Sequence, residues 1–324
     1  MDRRRAVGLA LVVVSACSYG SGALFAKPVY AAGLDWLTLL AWRFGFGAAL
    51  SWIWLLAWPA RRAGLRRLTR RRALAAVALG AMYTLNSSTY FAALETVPAS
   101  LTALIVYIYP VLVAVLALRF GRPLAGSAPW IALGIATLGV VLAVGGLNPA
   151  TAPPLSGLVQ AVVSPIIYAV WIVLQARLGG ERQDRLGQDA ANEDEAGAET
   201  AVAGALIMTA TWAVFVVLAA AGHRPIDPRD VPVNAWPGLV GVGVVSAFIA
   251  IQAFYAGTRR VGAAQAALIS TIEPLWTIAL AGLLFGERLL PVQLAGGALI
   301  LIAVLIAQAP AGRVGRASLR LADE

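Results

Sequence analysis

The chain has 324 residues, of which 60% are hydrophobic and 13% are charged, and its mean hydropathy is +0.79. This number of charged residues is too small to cover the surface of a soluble protein. The composition therefore excludes soluble enzymes, secreted disulfide scaffolds and nucleic-acid binders, despite a net charge of +9. One cysteine and one histidine supply no internal disulfide and no zinc cluster, so we predict no metal or other cofactor.

Apolar runs divide the chain, each about 20 residues long, which is the length a helix needs to cross roughly 30 Å of hydrocarbon. Clusters of Arg, Pro, Gly or Asp separate these runs. The pattern predicts an all-α integral membrane protein with ten transmembrane helices, near residues 6–26, 36–58, 73–94, 98–118, 128–147, 155–177, 200–221, 236–257, 262–284 and 291–309.

Positive charge indicates which ends of these helices face the cytoplasm. Ten crossings place both termini on one side, and 20 of the 25 Lys and Arg residues fall in the termini and connections of that side. The opposite side holds Lys27, Arg224, Arg229 and Arg288. Because cytoplasmic connections carry the excess of positive charge, we expect the protein in the inner membrane with both termini in the cytoplasm.

The start of the chain has an alternative interpretation. Arg3 to Arg5 before an apolar run also resembles a signal peptide, but cleavage would remove the first predicted helix.

The two halves of the chain resemble each other. A shift of 164 residues aligns 90–118 with 254–282 without a gap and gives ten identities in 29 positions, including Pro110 with Pro274. Each half has five crossings, an odd number, so the second half is inverted relative to the first. This predicts two inverted five-helix repeats, 1–148 and 155–310, a layout typical of transporters. An acidic, disordered cytoplasmic linker is expected at 178–199 and a cytoplasmic tail at 311–324, with a docking loop as the alternative for the linker.

The second half contains a motif in two parts. Residues 266–276 read AALISTIEPLW, and residues 284–289 read LFGERL. With the five-plus-five layout, the motif resembles the EamA family of the drug/metabolite transporter superfamily. The resemblance implies a secondary carrier, since many relatives are bacterial exporters of amino acids or other small metabolites. The first half departs from the family, because residues 121–123 read GRP where Gly-Glu is common.

Pro110 and Pro274 fall near the centres of the fourth and ninth predicted helices. Each removes one backbone hydrogen bond and frees the carbonyl four residues earlier, at Val106 and Ser270. Such breaks are tolerated in a membrane mainly beside protein or a wet cavity, so the paired prolines are candidate hinges, with a packing kink as the alternative.

Glu273, next to Pro274, is the one acidic residue deep within a predicted span. A carboxyl group at that depth is costly unless it is neutral, paired or hydrated, which makes it a functional candidate. Two roles compete for this candidate substrate-binding and coupling residue: it couples transport to protons, or it supplies the counter-charge for a substrate amine. The alternative is a neutral acid that hydrogen-bonds the broken backbone.

The third predicted helix carries a polar and aromatic stripe, with Tyr83, Asn86, Ser87 and Tyr90 spaced to lie on one face. Lipid disfavours Asn86, so the stripe is expected to face the bundle interior and to line a substrate pocket, with helix-to-helix hydrogen bonding as the alternative. Further candidates for the pocket are Tyr107, Tyr168, Trp171, Gln252 and Trp276.

Arg43 lies about two turns inside the second predicted helix. It either binds a substrate carboxylate or extends to the membrane surface and helix-end carbonyls, and snorkelling is the favoured interpretation.

These features predict a secondary active transporter that exports a small organic metabolite, with amino acids as a candidate class. One intramembrane arginine is too few for sugar phosphates or nucleotide sugars. The expected partners are this substrate and membrane lipids, with no nucleic acid and no prediction of oligomeric state. The alternatives are an integral-membrane lipid-modifying enzyme, which needs more acid-base groups than Glu273, and a channel.

Overall fold

The computed structural model describes residues 3–120, 128–145, 152–178, 190–261, 266 and 269–308, and these residues form an all-helical bundle. The helices are α1 Arg3–Gly20, α2 Gly22–Ala31, α3 Trp36–Ala57, α4 Pro59–Arg66, α5 Arg70–Thr96, α6 Ala99–Val106, α7 Tyr109–Phe120, α8 Ala128–Gly145, α9 Leu155–Leu178, α10 Ala190–Ala221, α11 Trp236–Gly241, α12 Ala250–Val261, α13 Ile272–Phe285 and α14 Pro291–Gln308. A 3₁₀ turn at Val233–Ala235 precedes α11, and a π-helical segment at Val242–Ile249 joins α11 to α12.

Six helical stretches are long and apolar enough to cross a membrane. They are Arg3–Ala31, Trp36–Ala57, Ala99–Leu116, Leu155–Gln175, Gly197–Ala221 and Val233–Thr258. Large apolar side chains on several of them face outward, as lipid requires; Val217 is 66% exposed and Ile53 is 64% exposed. The protein is therefore a multi-pass helical membrane protein, as the composition predicted.

The predicted disordered linker at 178–199 is too long. Helix α10 begins at Ala190, so residues 190–199 are helical. The local sequence AANEDEAGAE explains this start, since Ala and Glu favour helix and acidic residues stabilise a helix N-terminus. Residues 179–189 and the predicted tail at 311–324 lie outside the described part of the chain.

Several apolar crossings are interrupted rather than continuous. The first breaks at Ser21 between α1 and α2, and the predicted fourth helix breaks at residues 107–108 between α6 and α7. Pro110 and Pro274 lie within the first turn of α7 and α13, positions where a missing backbone N–H costs little. The prolines thus stand just after breaks and begin the second segment of each helix.

Small residues allow the helices to approach closely. A Cβ atom at Gly139 of α8 would lie 2.7 Å from the carbonyl oxygen of Gly296 in α14. A Cβ atom at Gly257 of α12 would lie 2.6 Å from Val12 Cγ2 in α1. Close backbone packing of this kind is typical of helix contacts in lipid, where no hydrophobic force draws helices together.

Two charged side chains cap helices at one end of the bundle. The Lys27 ammonium donates hydrogen bonds to the carbonyls of Leu94 and Val97, each at 2.8 Å, at the C-terminus of α5. The Glu287 carboxylate accepts from the backbone N–H groups of Ala99 and Ser100, at 3.0 and 2.9 Å, at the N-terminus of α6. Each charge has the sign that complements the helix dipole it meets.

Candidate functional site

A cavity of about 180 Å³ lies among the broken helices in the centre of the bundle. Residues from both halves of the chain line it: Ala16, Tyr19, Gly22, Arg43, Tyr83, Asn86, Ser87, Tyr90, Phe91, Ala103, Val106, Tyr107, Tyr109, Ser164, Tyr168, Ser246, Phe254, Ser270, Glu273, Pro274 and Thr277. The volume is below the roughly 300–1,000 Å³ of pockets for drug-sized ligands, so the cavity suits a smaller solute.

One wall of the cavity is aromatic. The Tyr109 and Tyr168 rings are 4.8 Å apart between centroids, and Tyr83 lies 6.3 Å from Tyr168. Tyr107 meets Tyr109 edge to face at 5.7 Å. Such rings offer flat apolar surface, and their hydroxyl groups add hydrogen-bonding positions.

Asn86 and Ser164 form the polar part of a second wall. The Ser164 hydroxyl donates to Asn86 Oδ1 over 3.1 Å, and this bond joins α5 to α9. Both side chains are buried, Asn86 with 8% exposure. The Asn86 amide group retains hydrogen-bonding capacity toward the cavity, because an Asn side chain has two N–H donors and two acceptor lone pairs.

Glu273 lies in the first turn of α13, directly after the break at Thr271. The tight approach of α1 holds this turn in place. Thr277 Oγ1 lies 2.9 Å from the Gly20 carbonyl and 3.1 Å from the Glu273 carbonyl, and a Cβ atom at Gly20 would lie 2.8 Å from the latter. Among the described residues, no donor hydrogen-bonds the half-buried Glu273 carboxyl group, which faces the cavity. It is available to a proton, to water or to a substrate.

Arg43 also reaches the cavity, from α3, and is 7% exposed. Its guanidinium carbon lies 4.6 Å from the centre of the Phe91 ring and 5.4 Å from that of Phe44, a cation–π arrangement. The favoured interpretation from sequence, an arginine that snorkels to the surface or to helix-end carbonyls, is wrong. The aromatic rings hold the guanidinium inside the bundle.

Backbone irregularities converge on the cavity. Val106 and Ser270, whose carbonyls were predicted to be freed by the two prolines, both line it. Ser246 lines it from the π-helical segment, and a Cβ atom at Gly22 would lie 2.5 Å from Ser246 Oγ. Helix breaks and π-helical turns expose backbone groups that a regular helix would pair internally.

The structure brings together most of the residues predicted from sequence. Tyr83, Asn86, Tyr90, Tyr107, Tyr168, Glu273 and Pro274 line the cavity. Pro110 does not line it, although the adjacent Tyr109 does.

Trp171, Gln252 and Trp276 were predicted to line the pocket and do not. The Trp171 indole donates to the Leu79 carbonyl over 2.8 Å and packs behind Tyr83. The Trp276 indole donates to Ser21 Oγ over 3.0 Å. Gln252 is two residues before Phe254, so it points to another face of α12.

The residues missed from sequence include Tyr19, Tyr109, Ser246 and Thr277. The internal duplication carried a signal for two of them, since it aligns Tyr109 with Glu273 and, at another shift, Tyr19 with Tyr168. Ser246 had no such signal, because the π-helical segment is not evident in the apolar pattern. Within the described ranges, no three His, Cys, Asp or Glu side chains gather closely enough to hold a metal ion.

Comparison with known proteins agrees with this architecture. The chain is 27% identical to an uncharacterized transporter of Archaeoglobus fulgidus over 226 residues, covering 69% of this chain and 72% of that protein. A solved crystal structure superposes with a TM-score of 0.60 and 17% identity, covering 95% of this chain and 99% of the other, a likeness that concerns the fold alone. The model of the EamA-like transporter family matches residues 6–145 and 195–308. A central cavity among broken membrane helices and a family match over well over half of the chain lead to one conclusion: this protein belongs to the EamA-like transporter family.

Proposed function

We propose that the protein is a secondary active carrier that exports a small organic metabolite across the inner membrane by alternating access. The observation that carries the proposal is the central cavity, which residues of both sequence halves enclose at helix breaks. In carriers built from inverted repeats, the substrate site lies at the repeat interface, where discontinuous helices meet.

The proposal includes ten crossings in two inverted repeats, and the helix packing supports it. Numbered in chain order, the first crossing packs on the eighth through α1 and α12, and the third packs on the sixth through α5 and α9. Exchanging the two halves turns the first of these pairs into the second. Helix α3 contacts α10, which pairs the second crossing with the seventh. Helix α8 contacts α14, which pairs the fifth crossing with the tenth. Exchanging the two halves maps each of these pairs onto itself.

The proposal puts both termini in the cytoplasm on the strength of the charge distribution, and two ion pairs support the grouping of the connections into two sides. Arg72 and Glu199 lie 2.7 Å apart, joining two segments predicted to be cytoplasmic. Arg224 and Asp35 lie 3.0 Å apart, joining two connections predicted on the opposite side. Connections assigned to the same side by charge therefore meet in space.

Glu273 and Arg43 are the two charged residues among those that line the cavity. We assign Glu273 the coupling role, since its carboxyl group can gain or lose a proton as the cavity opens to one side or the other. The tyrosine wall and the small volume favour a metabolite of roughly amino-acid size with an apolar part.

A binding screen followed by a transport assay tests this function. Ligands that bind the folded protein raise its apparent melting temperature, so a metabolite panel is screened first on purified protein. Solutes that stabilise the protein are then tested in proteoliposomes, where a carrier shows saturable flux that internal unlabelled solute accelerates. Flux that rises linearly with concentration and ignores internal solute would indicate a channel and contradict the proposal.

A further inference from the structure

Arg43 is a buried cation whose charge is not neutralised within the described part of the chain. It is 7% exposed, and its Nε atom has no hydrogen-bond partner. No ion pair joins it to Glu273, the other charged residue of the cavity lining. The Phe91 and Phe44 rings attract the cation but accept no strong hydrogen bond from it.

Burial of an arginine without a counter-charge is unfavourable for folding, because desolvation of the cation is not offset. An aliphatic or neutral side chain would pack here at lower cost. A costly group that faces a solute cavity indicates a functional use. The geometry of the guanidinium narrows that use, since its planar set of N–H donors matches an oxyanion.

We propose that Arg43 forms an anion subsite that recognises the carboxylate group of the transported solute; the inference rests on the proposed carrier function and names its substrate class. Phe91 and Phe44 hold the guanidinium at the cavity wall. A carboxylate fits better than a phosphate, because Arg43 is the one basic residue among those that line the cavity and balances a single negative charge. The tyrosine wall then receives the apolar remainder of the solute.

The test compares matched pairs that differ in charge and little else: acetate with acetamide, benzoate with benzamide, and L-leucine with L-leucinamide. Phenylphosphonate serves as the dianion probe. Equilibrium binding to purified protein in nanodiscs is expected to favour the carboxylate member of at least one pair by roughly tenfold or more, and to exclude phenylphosphonate. Equal binding of acids and amides, tighter binding of the phosphonate, or no carboxylate binding at all would overturn the subsite.

Two variants separate a binding role from a structural one. Arg43→Met should weaken carboxylate binding roughly ten- to hundred-fold, and Arg43→Lys should weaken it less, since it keeps the charge and loses the planar donor pair. Arg43→Met should also raise the apparent melting temperature of the ligand-free protein, because it removes an uncompensated buried charge. Arg224→Gln, in an exposed ion pair with Asp35, is the matched control and should bind like the wild type. Loss of stability in both Arg43 variants, or undiminished carboxylate binding in Arg43→Met, would contradict the assignment.

Counterflow in proteoliposomes distinguishes failure of the subsite from failure of the carrier function. Saturable exchange of a solute without a carboxylate group, with no competition by carboxylates, would leave the carrier intact and eliminate the subsite. Carboxylate binding through Arg43 without exchange of any bound solute would leave the subsite intact and eliminate the carrier.

Discussion

The charged residues of the cavity occupy different environments. Glu273 is half-buried beside a helix break, with a carboxyl group that no described donor engages. Arg43 is almost fully buried against aromatic rings. A carboxyl group can gain or lose a proton, whereas arginine keeps its charge at accessible pH.

Replacing Glu273 with Gln tests the coupling role. The amide keeps the size of the side chain but cannot titrate, so proton-driven accumulation should be lost while solute exchange continues, because exchange need not change the protonation of the site. Proteoliposomes with an imposed pH gradient measure the first, and counterflow measures the second.

Two other outcomes for Glu273→Gln have distinct meanings. If the carboxylate instead binds a substrate amine, binding itself should weaken by roughly 1.5–3 kcal/mol. Wild-type accumulation, exchange and binding would leave Glu273 with a structural role. Glu199→Gln, at the exposed pair with Arg72, is the control for a change of charge outside the cavity.

Asn86 and Tyr90 are expected to bind solute directly. Asn86→Ala removes the hydrogen-bonding amide and leaves the Ser164 hydroxyl without its partner, so solute binding should weaken by about 0.5–1.5 kcal/mol. Tyr90→Ala removes an aromatic side chain that lines the cavity and should also weaken binding. Ligand-induced thermal shift measures both effects. Leu85→Ala, at a neighbouring position that is 58% exposed, should leave binding unchanged. Normal binding in the cavity variants would assign the stripe to helix packing.

At the scale of elements, the breaks and caps define where helices begin and end. The chain interrupts its spans at Ser21, at residues 107–108 and at Thr271, and each interruption lies at or beside the cavity. Lys27 donates a hydrogen bond to a carbonyl at the C-terminus of α5. Glu287 accepts a hydrogen bond from a backbone N–H at the N-terminus of α6. Glu287 comes from the second half of the chain and caps a helix of the first, so it ties the two halves together.

Removal of the Glu287 cap should destabilise the fold. Glu287→Ala removes the carboxylate that accepts hydrogen bonds from the backbone N–H groups of Ala99 and Ser100 and, over 2.6 Å, from the Ser100 hydroxyl. The free energy of unfolding should therefore fall by about 1–2 kcal/mol. Glu287→Gln keeps an acceptor and should cost less. Denaturant unfolding in detergent micelles measures the change. Glu199→Ala should cost below about 1 kcal/mol as an exposed ion pair, and an equal loss in both variants would contradict the cap.

At the scale of the whole molecule, pairs of helices from opposite halves build the bundle. α3 packs along α10, and α8 packs along α14. Phe44 of α3 stacks on Phe215 of α10 at 5.5 Å in the buried core. Because these contacts join the two halves, the alternating access proposed above requires these interfaces to repack when the cavity opens.

Sidedness is tested by cysteine labelling in intact cells, in a Cys17→Ala background. Asp230→Cys, in an exposed connection of the side assigned outside, should react with a membrane-impermeant thiol reagent. Arg66→Cys, exposed at the end of α4, should be protected until the cells are permeabilised. The reverse pattern would invert the orientation deduced from the arginine distribution.

The sequence by itself determined the membrane class, the family resemblance and much of the cavity lining. Apolar run length, charge distribution and the polar stripe through Asn86 are local patterns, and the cost of polar groups in hydrocarbon makes them direct predictors. The predicted limit of the linker was wrong because overall composition was weighed above the helix propensity of the Ala and Glu residues at 190–199. Only the tertiary structure decided the place of Arg43 and of Trp171, Gln252 and Trp276. The environment of a side chain depends on which helices pack against it, and the residue pattern of one helix does not show which helices those are.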